Sequence, residues 1–117
     1  MVPRELVLAV LRHDDLSASQ FVKDAKRAGF SWADAPAPDF AGPRARAVYA
    51  GLVELFAARQ GRKPPEWTAA VGAAPAPVYL ASGARSSRAM RRVLEEDSPA
   101  PLKRRNVFAF GQCLDVI

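Results

Sequence analysis

Ten prolines punctuate this chain, at positions 3, 36, 38, 43, 64, 65, 75, 77, 99 and 101. Proline has no backbone N–H and a fixed φ, so a helix starts at one readily but does not run through one. Regular structure is therefore confined to short windows, and the apolar residues inside them recur mostly at helical spacing. Leu6, Val7, Val10 and Leu11 predict a helix over about 3–12, with Pro3 in its first turn. Ser17-Ala18-Ser19-Gln20 reads as a capping box ahead of Phe21, Val22, Ala25 and Ala28, with Gly29 closing a second helix. The longest helix, about 43–60, places Val48, Leu52, Leu55 and Phe56 on one face and ends at Gly61.

The remaining windows are shorter. Phe30, Trp32 and Phe40 anchor a proline-rich loop over 30–43 that packs on the body. Arg62–Thr68 opens a short helix on Pro64 and Pro65, and Ala74–Pro77 closes it. Val78–Ala81 is too short to assign. Ser82 or Ser86 caps a helix over about 86–96 whose inner face is Ala89, Met90, Val93 and Leu94. After a Ser98–Pro101 turn, Val107–Phe110 reads as extended or as a terminal helical turn. The expected fold is mainly α: a single compact domain over 1–117 with four to six short helices and room for one minor C-terminal strand.

Composition bounds the chemistry. Half of the 117 residues are apolar, which supplies one modest core. The single cysteine, Cys113, excludes an internal disulfide framework and any multi-cysteine zinc site, and a reducing compartment is the simpler reading. The apolar run Leu6–Leu11 is preceded by Glu5, ends at Arg12-His13 without a small-residue cleavage site, and falls far short of the roughly 20 residues of a membrane span. A cytoplasmic protein with no membrane association is expected. Heavy use of alanine and proline, with arginine above lysine, matches proteins of GC-rich bacterial genomes.

No catalytic constellation is assembled. His13, the only histidine, adjoins Asp14 and Asp15, but at a helix end solvated charge is the simpler reading than a metal site. Glu95-Glu96-Asp97 is likewise a solvated helix terminus. Cys113 lies in an apolar context without a nearby histidine and reads as a structural thiol. Ser82-Gly83 and Ser86-Ser87 lack the strand–turn–helix setting of a nucleophile elbow, and no glycine loop has phosphate-binding spacing. No catalytic residue, metal ligand or cofactor is assigned, and a non-enzymatic protein is expected.

Charge points instead to contact. The net charge is +5, and residues 85–105 hold seven cations against three anions, whereas residues 1–84 hold ten against eight. Arg85, Arg88, Arg91 and Arg92 share one helix, the last three at spacings of three and four. Lys103, Arg104 and Arg105 follow the Ser98–Pro101 turn, with Val107 and Phe108 to anchor them. These seven cations form the candidate binding surface. Trp67, presented by Lys63-Pro64-Pro65-Glu66, is a further candidate contact, although an aromatic at such a position is core by default. An acidic protein partner is the first expectation, and a nucleic acid held through its phosphates is the alternative. Pairing of Arg91 and Arg92 with Glu95 and Glu96 would instead neutralise the helix internally.

Four landmarks lie in order along residues 52–110: a helix ending Ala57-Ala58-Arg59-Gln60-Gly61, then Pro64-Pro65-Glu66-Trp67-Thr68, then Pro77-Val78-Tyr79-Leu80, and last Glu96-Asp97-Ser98-Pro99-Ala100-Pro101-Leu102-Lys103-Arg104-Arg105-Asn106-Val107-Phe108. This succession resembles small bacterial proteins encoded in toxin–antitoxin-type gene pairs, in which one small chain blocks its partner. The resemblance implies an antitoxin-like protein-binding role and brings no catalytic residues with it.

Overall fold

The computed structural model describes residues 3–81, Ala84, 87–111 and Leu114. Among them are five α-helices: α1 (Pro3–Leu11), α2 (Asp15–Arg27), α3 (Pro43–Arg59), α4 (Arg88–Asp97) and α5 (Ala100–Lys103). Two strands, β1 (Val78–Tyr79) and β2 (Val107–Phe108), pair in parallel with Val78 opposite Val107 and Tyr79 opposite Phe108. The mainly helical expectation holds, and the minor C-terminal strand is present. The tetrad left unassigned by periodicity supplies its partner. The radius of gyration, 13.2 Å, is that of a compact globule of this length. No helix among the described residues is long and apolar enough to cross a membrane.

Helix α3 is the axis of the molecule. It is buried on nearly all sides from Ala47 to Ala57, with only Glu54 partly exposed, so its apolar surface exceeds the single stripe that periodicity predicts. Around it pack α1, α5, β2 and two single 3-10 turns, Trp32–Asp34 and Glu66–Ala70. The closest approach is at Gly51, where an added Cβ would lie 2.7 Å from Leu102 Cδ2 and 3.3 Å from the Pro101 carbonyl. Only glycine lets α5 seat that closely.

Chain reversals follow local chemistry. Gly29 and Gly61, both left-handed, end α2 and α3; the N–H of the following residue returns to a carbonyl five positions back, Phe30 to Ala25 and Arg62 to Ala57. His13 takes the same left-handed role after α1, with Asp14 N–H on the Ala9 carbonyl. The cap of α2 differs from expectation. Asp14 caps the helix by accepting from Ser17 N–H at 3.1 Å, while Gln20 donates to Asp24 instead of closing a box with Ser17. The start thus moves three residues upstream, because a carboxylate at a helix N-terminus is an equally good acceptor.

The 30–42 loop packs down as expected. Trp32 is buried between Phe30 and Phe56, with ring centroids 5.0 and 4.8 Å away. The Gln60 carboxamide fixes it, accepting from Trp32 N–H and donating to the Phe30 carbonyl, both at 2.9 Å. The Tyr49 hydroxyl donates to Pro36 at 2.8 Å, and burial with the nearby Asp39 charge pushes that phenol well above its usual range. The short helix predicted from Arg62 is the 3-10 turn Glu66–Ala70, because two successive prolines at 64 and 65 hold the backbone extended up to Glu66.

Candidate binding surface

The basic run splits into residues with different fates. Lys103 is exposed. Arg104 is 61% exposed and reaches Glu54 at 3.2 Å. Arg105 is buried: one guanidinium nitrogen bonds Glu54 and lies 3.3 Å from the Pro101 carbonyl, and the other donates to the Thr68 carbonyl at 2.7 Å. Its backbone carbonyl accepts from Ala74 N–H at 2.9 Å. Arg105 therefore leaves the candidate surface. A planar fork can serve a carboxylate and two carbonyls at once, which an ammonium cannot, and that geometry draws an arginine inward here.

The flanking residues complete the same clasp. Asn106, left-handed at φ 62°, donates to the Ala74 carbonyl at 3.2 Å and accepts from Val78 N–H at 3.0 Å. The Ser98 hydroxyl lies 2.5 Å from the Leu94 carbonyl and accepts from Ala109 N–H at 2.9 Å, tying the end of α4 to the end of β2. The expected Ser98–Pro101 turn is in fact the start of α5, with Pro99 in the N-cap position and Pro101 in its first turn. What reads in sequence as a presented basic motif is mostly a fastening of the C-terminal third to α3.

Helix α4 is the outlying element. The Ser87 hydroxyl caps it, accepting from Met90 N–H at 3.1 Å, one residue past the expected Ser86. Of the predicted inner face only Leu94 is fully buried; Met90 is half-buried, Ala89 is exposed and Val93 is 49% exposed. Arg91 is half-buried and donates to the Ala84 carbonyl at 2.8 Å. Arg88 and Arg92, one turn apart, are both exposed. The two ion pairs among the described residues both use Glu54, so the pairing of Arg92 with Glu96 is not formed. Glu95 instead accepts from the Tyr79 hydroxyl at 2.6 Å, and that hydrogen bond, with the carboxylate's charge, raises the tyrosine above its ordinary value. Tyr79 in turn stacks on Phe108 at 5.4 Å. Arg85 lies outside the described residues.

Trp67 belongs to the body. It stacks on Tyr49 at 5.3 Å with 14° between the planes, and its indole N–H donates to the Ala35 carbonyl at 2.9 Å. The prolines before it aim it inward. Among the described residues no group of three or more His, Cys, Asp or Glu side chains is placed to hold a metal. In the His13-Asp14-Asp15 run, Asp14 is the α2 cap, its carboxyl lowered by the hydrogen bonds from Ser17, and the His13 ring faces the Leu80 carbonyl at 3.4 Å. Cys113 lies outside the described residues.

The surface that the sequence proposed is thus reduced to Arg88, Arg92, Lys103 and Arg104, with Arg91 partly withdrawn. The inward turn of Arg105 had one available signal: Glu54 is the only acid between Gly51 and Ala58, in a segment otherwise apolar. A carboxylate carried into a core needs a cation brought to it. No family model, curated protein or solved structure matches the chain.

Proposed function

We propose that the chain is a non-enzymatic protein-binding module that receives an acidic partner on Arg88 and Arg92 of α4, with Lys103 and Arg104 as outlying contacts. The observation that carries this reading is the pair Arg88/Arg92. Both side chains face solvent at one-turn spacing, and neither has an ion-pair partner among the described residues. The helix that bears them is fixed by the Ser87 cap, the buried Leu94, the Tyr79–Glu95 bond and the Ser98 clasp. Two cations on a pinned helix present charge without a further ordering cost at the backbone. In the antitoxin-like form implied by the sequence resemblance, the partner is the product of the adjoining gene.

The test compares the intact chain with Arg88→Glu/Arg92→Glu as bait in copurification from the native host, with mass spectrometry of what is held. An acidic protein retained by the intact chain and weakened at least about tenfold in the variant is the expected result. Full retention by the variant would sink the reading. Capture of duplex nucleic acid, with affinity falling steeply with salt, would replace the acidic protein by a phosphate backbone.

A further inference from the structure

Three side chains at the start of α2 share one face of that helix at spacings of three and four: Asp15, Ala18 and Ser19. Together they line a groove of about 380 Å³, which is the small end of the range for ligand pockets. Val10 of α1, Met90 of α4, Leu80 after β1 and Phe110 after β2 line the rest of it. Val10 and Ala18 are buried, whereas Asp15 is exposed and Phe110 is 42% exposed. The groove therefore runs from an apolar floor to a mouth that holds a carboxylate and an aromatic ring.

Its walls are held by contacts that leave Asp15 free. Asp14, not Asp15, caps α2 by accepting from Ser17 N–H. The His13 ring lies 3.4 Å from the Leu80 carbonyl and links the turn before α2 to the end of β1. Ala109 N–H is held by Ser98, which fixes the backbone next to Phe110. Asp15 is the only charged residue among the described lining residues, and neither ion pair among the described residues uses it. The Ser19 hydroxyl, one turn along, is a second polar group on the same face.

This set of groups selects its occupant by charge. An anionic ligand would meet the Asp15 carboxylate and no lining cation. A neutral apolar ligand would crowd that carboxylate without giving it a donor. An ammonium on a compact apolar body complements both the mouth and the floor. We propose that the groove is a binding site for a small primary amine with an aromatic or branched aliphatic body. The ammonium donates to the Asp15 carboxylate and the Ser19 hydroxyl, and the body packs on Leu80, Met90 and Phe110. Met90 adjusts to the shape of that body, since its unbranched thioether chain is the most adaptable of the lining groups. Arg88 and Arg92 lie on the face of α4 opposite Met90, so the site is separate from the acidic-partner surface and does not depend on that reading.

The test titrates the intact chain with 2-phenylethylamine and follows backbone amide shifts by NMR. Saturable shifts at Ala18, Ser19, Leu80 and Phe110 are expected, with a Kd of about 1 mM or tighter. The neutral isostere 2-phenylethanol should bind at least about fivefold more weakly, and 3-phenylpropionate should not saturate. The net charge of +5 favours the carboxylate in any non-specific association, so a preference for the amine reports on Asp15. Asp15→Asn keeps the Asp14 cap and should bring the amine down to the affinity of the alcohol while leaving the alcohol unchanged. Phe110→Ala should weaken both ligands alike. Absence of saturable shifts in the groove up to about 10 mM amine, equal affinity for amine and alcohol, or a preference that survives Asp15→Asn would each overturn the proposal. So would groove shifts that follow protein concentration alone, which would assign the groove to a second copy. Asp15→Asn keeps Arg88 and Arg92, so loss of amine binding with retention of an acidic partner separates the two readings.

Discussion

The Arg88–Arg92 segment and the Lys103–Arg105 run look alike as sequence, each a cluster of cations within five residues or fewer, yet the fold treats them in opposite ways. Arg105 is buried on Glu54, whereas Arg88 and Arg92 stand in solvent on a helix that sends only Leu94 fully inward. The difference lies underneath the cations. Below α5 runs α3, whose buried surface carries one carboxylate and beside which the Thr68 carbonyl is exposed to a donor. On α4 the carboxylates are its own and take other donors: Glu95 accepts from the Tyr79 hydroxyl and Asp97 from Gly111 N–H, and among the described residues no acid forms an ion pair with Arg88 or Arg92. Density of charge along a sequence therefore does not decide whether it is presented; the counter-charge on the neighbouring element does.

Breaking the buried member of this pair should have the largest effect. Arg105→Met leaves Glu54 with only the exposed Arg104 and removes the guanidinium donor from the Thr68 and Pro101 carbonyls, a loss of about 3–5 kcal/mol in urea denaturation. Arg105→Lys should recover little of it, because one ammonium cannot reach the carboxylate and both carbonyls. Glu54→Leu combined with Arg105→Met should be less unstable than the two single changes added together, since neither variant group then stands uncompensated. A cost below about 0.5 kcal/mol for Arg105→Met would place the residue on the surface and erase the contrast with α4.

The same clasp is sensitive to shape. Gly51→Ala puts a methyl 2.7 Å from Leu102 Cδ2, and the Pro101 carbonyl at 3.3 Å limits how far α5 can withdraw. Overpacking of this kind costs about 1–3 kcal/mol. The effect should appear in global unfolding, because α5 holds Arg105 over Glu54. On α4 the corresponding change is milder. Ser87→Ala removes the acceptor of Met90 N–H and should cost about 1 kcal/mol. Hydrogen exchange should show that loss as faster opening of the first turn of α4, with α3 unaffected. A global destabilisation would mean that α4 is as central as α5, against the burial of Leu94 alone.

Much of this architecture was legible in the sequence because it rests on local rules. The extents of α1 and α3, the closing glycines at 29 and 61 and the packed 30–43 loop follow from periodicity, backbone conformation and proline placement. What was illegible depends on groups distant in sequence. Val78 and Tyr79 become a strand because Asn106 and Phe108 offer carbonyls to Val78 and Leu80, nearly thirty residues away. Arg105 is drawn in by an acid about fifty positions upstream, and Trp67 by Tyr49 and Ala35. Caps lie between these cases. Asp14 and Ser87 obey the capping preference, but neighbouring Ser17 and Ser86 obey it equally well, and only the packing of the helix selects between them. In the candidate surface the sequence overcounted the cations that face solvent, since it gave no measure of what each would find beneath it.

The exposed pair should show the smallest effect on stability and so completes the contrast. Arg88→Ala/Arg92→Ala removes two side chains that have no ion-pair partner among the described residues, and exposed positions of this kind alter stability by no more than about 0.5 kcal/mol. The change should fall near zero or slightly on the stabilising side, because two like charges at one-turn spacing repel each other. Raising the salt should reduce even that gain, since the repulsion is screened over about 10 Å at 0.1 M. A marked loss of stability would show that the guanidinium stems cover apolar surface on α4 and are held there. A neutral result alongside lost partner binding would separate the two arginine clusters by role, one maintaining the fold and the other meeting what lies outside it.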